Sequence, residues 1–362
     1  MRIWSNQAVV AIYRFSLVFV WFCGALGLLP SGPVAAEDAA DERSAEVLLF
    51  QIEPMLVTPS HGPILFVAVK NPGGRSRKGT LRLKTPEGWL LSPPEHEVEI
   101  SPDQVVRVAF NVQRAKSAEE NRYPIQVSFR EEGKPDVTVR QEVVVATAPY
   151  SAPNIDGEAD DWADSVPVRS VQEDGSSLKE TVVKTFWSRR AFSVLVEVEE
   201  DRLRPAVFPG SDDEAAYGDA VQLAFGAEKP GQEGFEYLIV AGGGEGGGTC
   251  YRLVKQEDHV VWNPEAKAKC RVTREGKTTR YECSIPWGPM RDVLRPSEGR
   301  AFCFSFLVHD PDGTGVRDWG ASVGLWPSQR DRNAWSIWWK PVPEDWSPYT
   351  ARIPWGMCSS KY

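Results

Sequence analysis

Two short stretches concentrate carboxylates in a way that could hold a cation or move a proton. "NIDGEADDWADSVPV" (154–168) sets Asp156, Glu158, Asp160, Asp161 and Asp164 around Trp162. "HDPDGTG" (309–315) places Asp310 and Asp312 two apart, beside glycines that permit a tight turn and expose backbone carbonyls. Carboxylates and carbonyls of this kind suit a hard cation such as calcium, although the closing bidentate Glu of a helix-loop-helix site is missing. An ordinary Asp-Gly turn is the competing reading. In the first stretch the apolar residues carry more information than the acids. Ile155 and Trp162 read as anchors that pack a first turn onto a sheet, Asp156-Gly157 as the bend, and the other acids as turn caps or solvated groups.

Other chemistries find little to stand on. The chain has no Gly-x-Ser-x-Gly nucleophile elbow, and its histidines show no metal-ligand spacing. "AGGGEGGGT" (241–249) lacks the Lys-Ser/Thr ending and helical continuation of a phosphate loop and reads as a hairpin tip. Paired carboxylates can hydrolyse glycosides, but acids on turns are common in an acidic chain, so a non-catalytic protein is expected. The aromatic residues point further. Seven tryptophans fall between 319 and 355: Trp319, Trp326, Trp335, Trp338, Trp339, Trp346 and Trp355. Flat rings cover the C–H face of a sugar while polar neighbours, such as those of "SQRDRNAW" (328–335), take its hydroxyls. Core filling is the alternative for any one of them.

The elements that would position these groups are strands. Residues 1–36 are set aside as a signal peptide: Arg2 and Arg14 are followed by an apolar run from Phe15 to Leu29, and small residues precede a cleavage site after Ala36. An uncleaved anchor is the competing reading, for which the run is short against a span of about 20 residues. Cleavage takes the formal charge from −9 to −11 by removing the two arginines. Such a chain repels phosphate backbones, which argues against nucleic acid as a partner. Secretion, to the periplasm or the cell surface, would expose Cys250, Cys270, Cys283, Cys303 and Cys358 to oxidation, an odd set that leaves at least one thiol. Between 45 and 147, short alternating runs such as "VVRVAFNV", punctuated by Pro and Gly, predict an antiparallel sandwich. "ATAPYSAP" (146–153) reads as a connector. From 153 to 355, "AFSVLVEVEE" reads as a half-buried strand, and "AFCFSFLVHD" turns Phe302, Phe304, Phe306 and Val308 to one face. The fold class is therefore all-β, with a larger jelly-roll-like sandwich second. One hairpin fixes its own register. A two-residue turn at Gly276-Lys277 pairs Val272 with Tyr281 and Cys270 with Cys283. The cysteines then share a non-hydrogen-bonded rung about 4.5 Å apart, at the short edge of disulfide geometry. A Cys270–Cys283 bridge, or two adjacent thiols, is predicted.

Two resemblances follow. Asn71-Pro72-Gly73, "TPEGW", Ser101-Pro102-Asp103-Gln104 and the Tyr-Pro-Ile strand resemble immunoglobulin-like domains found beside carbohydrate-active modules, which implies a spacer. "IDGEADDWADS", "GDAVQLAFG", "YECSIPWGPM" and "FSFLVHDPDG", in that order, resemble family 9 carbohydrate-binding modules. That resemblance implies a β-sandwich that binds poly- or oligosaccharide between aromatic rings, beside glycoside hydrolases, with calcium as a structural ion; Asp156, or Asp160 in its place, joins Asp310 and Asp312 as its candidate ligands. Carried over by position, Asn333 and Trp335 supply a late amide and stacking ring, with Trp338 nearby. Tyr217 stands where the partner ring should be, Gln222 replaces the usual glutamate, and Arg252 matches a basic position. Related sandwiches carry haem, for which Met290 with His259 or His309 would be the axial ligands. A cell-surface structural module with a degenerate sugar site is the third expectation.

Overall fold

The computed structural model describes residues 47–173, 178–205, 218–227, 234–242, 247–256, 259–310, 315–319 and 354–357. The proposed leader lies outside them. The first eight strands are β1 (Leu49–Ile52), β2 (Ile64–Lys70), β3 (Arg77–Lys84), β4 (Leu90–Ser92), β5 (Glu95–Ile100), β6 (Val105–Arg114), β7 (Tyr123–Arg130) and β8 (Val137–Val143). They form two antiparallel sheets, ordered β1-β2-β6-β4 and β5-β3-β7-β8. Strict alternation builds the core between them. On β7, Tyr123, Ile125, Val127 and Phe129 are buried and meet Leu65, Val67 and Val69 of β2. Trp89 packs at the edge of this core, its ring 5.4 Å from that of Tyr123. The Asn71 turn closes on itself: its side-chain oxygen accepts from the Gly73 N–H, and its amide donates to the carbonyls of Arg75 and Ile100.

The chain then passes through β9 (Thr147–Ala148) into β10 (Val168–Glu173), β11 (Leu178–Trp187), β12 (Ala191–Glu199), β13 (Ala220–Gly226), β14 (Gly234–Ala241), β15 (Gly248–Gln256), β16 (His259–Pro264), β17 (Lys269–Glu275), β18 (Thr278–Pro286), β19 (Ala301–Asp310), β20 (Gly315–Trp319) and β21 (Pro354–Met357). Five of these strands form one sheet, β10-β11-β12-β18-β17. Eight form the other, β16-β15-β14-β13-β19-β21-β9, with β20 pairing β19 beside β21. The core between them holds Val194, Val196 and Val198 of β12 and Phe302, Phe304, Phe306 and Val308 of β19, as the alternation predicts. The hairpin register also holds: Glu275 faces Thr278, Val272 faces Tyr281, and Cys270 faces and bonds Cys283.

Two expectations change. β12 is not half-buried, because Ser193 and Leu195 on its second face are covered as well. β13 is buried along its whole length and β19 from its second residue on, so both faces of this sheet are packed. The start of the Pro/Ala-rich connector is structural rather than a loose tether. β9 pairs in parallel with β21, and Thr147 donates its hydroxyl to the Gly356 carbonyl. Gly356 sits so tightly that a Cβ there would lie 2.6 Å from the Leu56 carbonyl oxygen of the first sandwich. Gly356→Ala is therefore expected to cost about 1–3 kcal/mol through overpacking. Thermal unfolding would read this as a lowered midpoint, and an unchanged midpoint would show that the contact yields without cost.

Candidate functional site

The acidic opening stretch is an anchor. Trp162 is fully buried in a short 3-10 turn (Asp160–Trp162), stacked on Phe186 at 5.2 Å and packed on Leu195. Its indole N–H donates to Oε1 of Glu282 at 2.8 Å, while Oε2 of the same carboxylate accepts the Gly157 N–H at 2.7 Å. Glu282 is the acid that matters here, and it lies on β18, far along the sequence. Burial raises its pKa, opposed by these two hydrogen bonds. Of the local acids, Asp156 accepts from the Glu158 N–H and Asp161 from the Asn154 N–H, so both cap turns.

A different set of carboxylates converges. Glu200 follows β12 in the five-stranded sheet; Asp219 precedes β13 and Asp310 ends β19 in the other sheet. All three are buried, and each offers a carboxylate oxygen within 4.8 Å of the others. Antiparallel pairing of β13 with β19 sets Ala220 opposite His309, which brings Asp219 and Asp310 to the same end. Glu200 arrives from across the sandwich. Its Oε1 is held by the Thr279 hydroxyl and by Arg274 Nη1 at 3.1 Å, and Arg274 also binds the Glu200 carbonyl. Its Oε2 is buried and has no hydrogen-bond partner among the described residues. The Tyr281 hydroxyl, fully buried on the inner face of β18, has none either. Burial and then repulsion by Asp219 and Asp310 push the Glu200 carboxyl up to about 7, against the Thr279 hydrogen bond and Arg274. Burial and the same three carboxylates raise the Tyr281 phenol well above its usual range.

Among the described residues three buried carboxylates converge beside one guanidinium, and the Arg204 N–H also donates to Asp219. Buried carboxylates that face one another repel, and oxygen ligands grouped in this way suit a hard divalent cation. The residues present therefore fit the ion that the resemblance implies. Of its expected ligands, Asp310 belongs to this cluster. Asp156 is not part of it, because it caps its own turn, and Asp312 lies outside the described residues. Glu200, Asp219 and Tyr281 were missed by sequence reasoning. The available signal was an acid at the very end of an alternating strand ("VEVEE") and another heading "DAVQLAF".

The sugar-site expectations divide. Gln222 of β13 lies on the outer face of the eight-stranded sheet with Leu238 and Tyr251. It is fully buried, donating to Glu236 Oε2 at 2.5 Å and facing His309 Nε2 at 3.0 Å through Oε1. Arg252 sits opposite Tyr237, and both belong to the inner face. Its guanidinium lies over the Phe235 ring, 5.2 Å from the centroid. Gln222 and Arg252 are thus on opposite faces, because their positions differ by one step of the strand period once the register is set. Tyr217, Asn333, Trp335 and Trp338 lie outside the described residues. Trp355 is a core residue, fully buried with its ring 4.9 Å from that of Phe304. Met290 and His309 do not converge: Met290 is in the core between the sheets, and His309 is on the outer face, its pKa held down near 4 by burial; the side chain of His259 lies outside what the structure describes.

No family model matches the chain, and no curated protein does. Among solved structures it is similar to a family 9 carbohydrate-binding module from Caldicellulosiruptor kristjanssonii. In complex with cellotriose that module is 15% identical with a TM-score of 0.37, over 59% of this chain and 93% of that one. In complex with glucose it is 15% identical with a TM-score of 0.35, over 59% and 95%.

Proposed function

We propose that the second sandwich is a non-catalytic carbohydrate-binding module, secreted and accessory to glycan-degrading enzymes, with a structural divalent cation held by Glu200, Asp219 and Asp310. The observation that supports the binding reading is where the strands flanking the aromatic-rich sequence are anchored. The chain leaves β20 at Trp319, paired with Phe306, and returns at Pro354, paired with Cys303, on the same edge of β19. Between those points the sequence holds five tryptophans and the polar run "SQRDRNA". Both anchor points thus lie on one sheet edge, and the sequence between them has the composition that a sugar ring requires. Asn333, Trp335 and Trp338 are the residues expected to touch it.

Binding is tested by affinity electrophoresis and calorimetry against a panel of soluble polysaccharides and oligosaccharides. Trp335→Ala is expected to weaken binding at least about tenfold, as loss of a central stacking ring does, with an unchanged unfolding midpoint. Absence of binding across the panel would sink the reading. One observation favours a structural module instead: both ends of the Gln222 amide are engaged, by Glu236 and His309, where a sugar ligand would need them. That second reading expects no glycan affinity and no effect of Trp335→Ala.

A further inference from the structure

One free cysteine of the second sandwich, Cys250, lies beside the bridge. Cys250 is a buried thiol on β15, on the face turned into the core. Its sulfur lies within 4.8 Å of both sulfurs of the Cys270–Cys283 bridge, which belongs to the opposite sheet. Gly248, two residues before and on the same face, makes the approach. A Cβ there would stand 3.1 Å from the Arg271 carbonyl carbon and from Val272 Cγ2 on β17, tighter than nearly all such contacts, so glycine eases this close approach.

We propose that Cys250, Cys270 and Cys283 form a thiol–disulfide exchange centre that moves the bridge from within one sheet to between the two sheets. The Cys250 thiol gives its proton to hydroxide, and its sulfur lone pair forms a bond to Cys283 Sγ. The Cys283–Cys270 bond breaks, and its electron pair leaves on Cys270, which takes a proton from water. One thiol and one disulfide are present before and after, so no oxidant or reductant is consumed. The direction follows from burial. Cys250 and Cys283 are core residues, whereas Cys270 is half-buried on the edge strand β17, and a thiolate nearer water is the better leaving group. The original bridge joins strands that already share hydrogen bonds, whereas the new one ties the sheets together. Burial, then the Glu265 carboxylate, raises the Cys250 pKa, so exchange is slow at neutral pH and rises with alkalinity.

The test is alkylation of the folded full chain followed by peptide mapping without reductant, after incubation at pH 7, 8 and 9. The expected result is a Cys250–Cys283 peptide with alkylated Cys270, forming about tenfold faster per pH unit. Cys250→Ser is expected to abolish Cys270 alkylation. Cys270→Ser, mildly oxidised, is expected to yield the Cys250–Cys283 bridge with an unchanged circular dichroism spectrum. The proposal is overturned if Cys270–Cys283 stays the sole bridge at every pH, if a Cys250–Cys270 peptide forms instead, or if the Cys270→Ser chain keeps both thiols.

Discussion

Replacing Trp162 by alanine is expected to lower the unfolding free energy of the second sandwich by about 3–5 kcal/mol, the range for emptying a buried tryptophan site. Two losses combine. The stacking on Phe186 and packing on Leu195 disappear, and Oε1 of the buried Glu282 loses its donor. Trp162→Phe separates them: it keeps ring packing and removes the N–H, and is expected to cost about 1–3 kcal/mol for the orphaned carboxylate oxygen. Denaturant unfolding with an unchanged slope would read both numbers. If Trp162→Ala cost less than about 1 kcal/mol, the opening turn would be an appendage rather than part of the sandwich.

Calcium is expected to raise the thermal midpoint, and to raise it more at pH 8 than at pH 5. A cation that binds only the folded state adds about 2.7 kcal/mol at one hundred times its dissociation constant. The pH dependence comes from Glu200. Its folded pKa, about 7, stands above its ordinary 4.5, so the folded protein binds the proton more tightly than the unfolded chain does. Stability from this group is complete below pH 4.5 and is lost as pH rises through about 7, amounting to about 3 kcal/mol in the ion-free protein. A cation takes the place of that proton, so its effect grows over the same window. Glu200→Gln, compared in chelator and in calcium, is expected to lose the calcium response while remaining folded. Equal midpoints with calcium and with chelator at both pH values would remove the ion from the proposed function.

Legibility in the sequence followed the range of the forces involved. The Gly276-Lys277 turn sets the pairing of Cys270 with Cys283 because a two-residue hairpin leaves no freedom of register. Phe302, Phe304 and Phe306 announce a core face because strand side chains alternate. The same alternation misjudged β12, since what covers Leu195 is Trp162, about thirty residues upstream. The carboxylate cluster was legible only through Asp310. Glu200 and Asp219 are acids at strand ends, indistinguishable from solvated ones until pairing of β13 with β19 and closure of the two sheets bring them together. Cys250 posed the same problem: its approach to the bridge depends on the missing side chain at Gly248 and on how closely two sheets stack.

The pairing of β9 with β21 has a consequence for synthesis. All eight strands of the first sandwich are complete by Val143, so that sandwich can form while the remainder is still on the ribosome. The second cannot close in the same way. Its connector strand waits for a partner made about two hundred residues later, and Thr147 finds the Gly356 carbonyl only then. Until residues 354–357 emerge, β19 keeps an open edge over Ala301–Cys303 and Trp355 is missing from the core. Contacts of such long separation form late and slowly, and unpaired edges invite association. The last few strand residues thus act as the latch of translation, turning a finished first sandwich and an open second one into a single closed body.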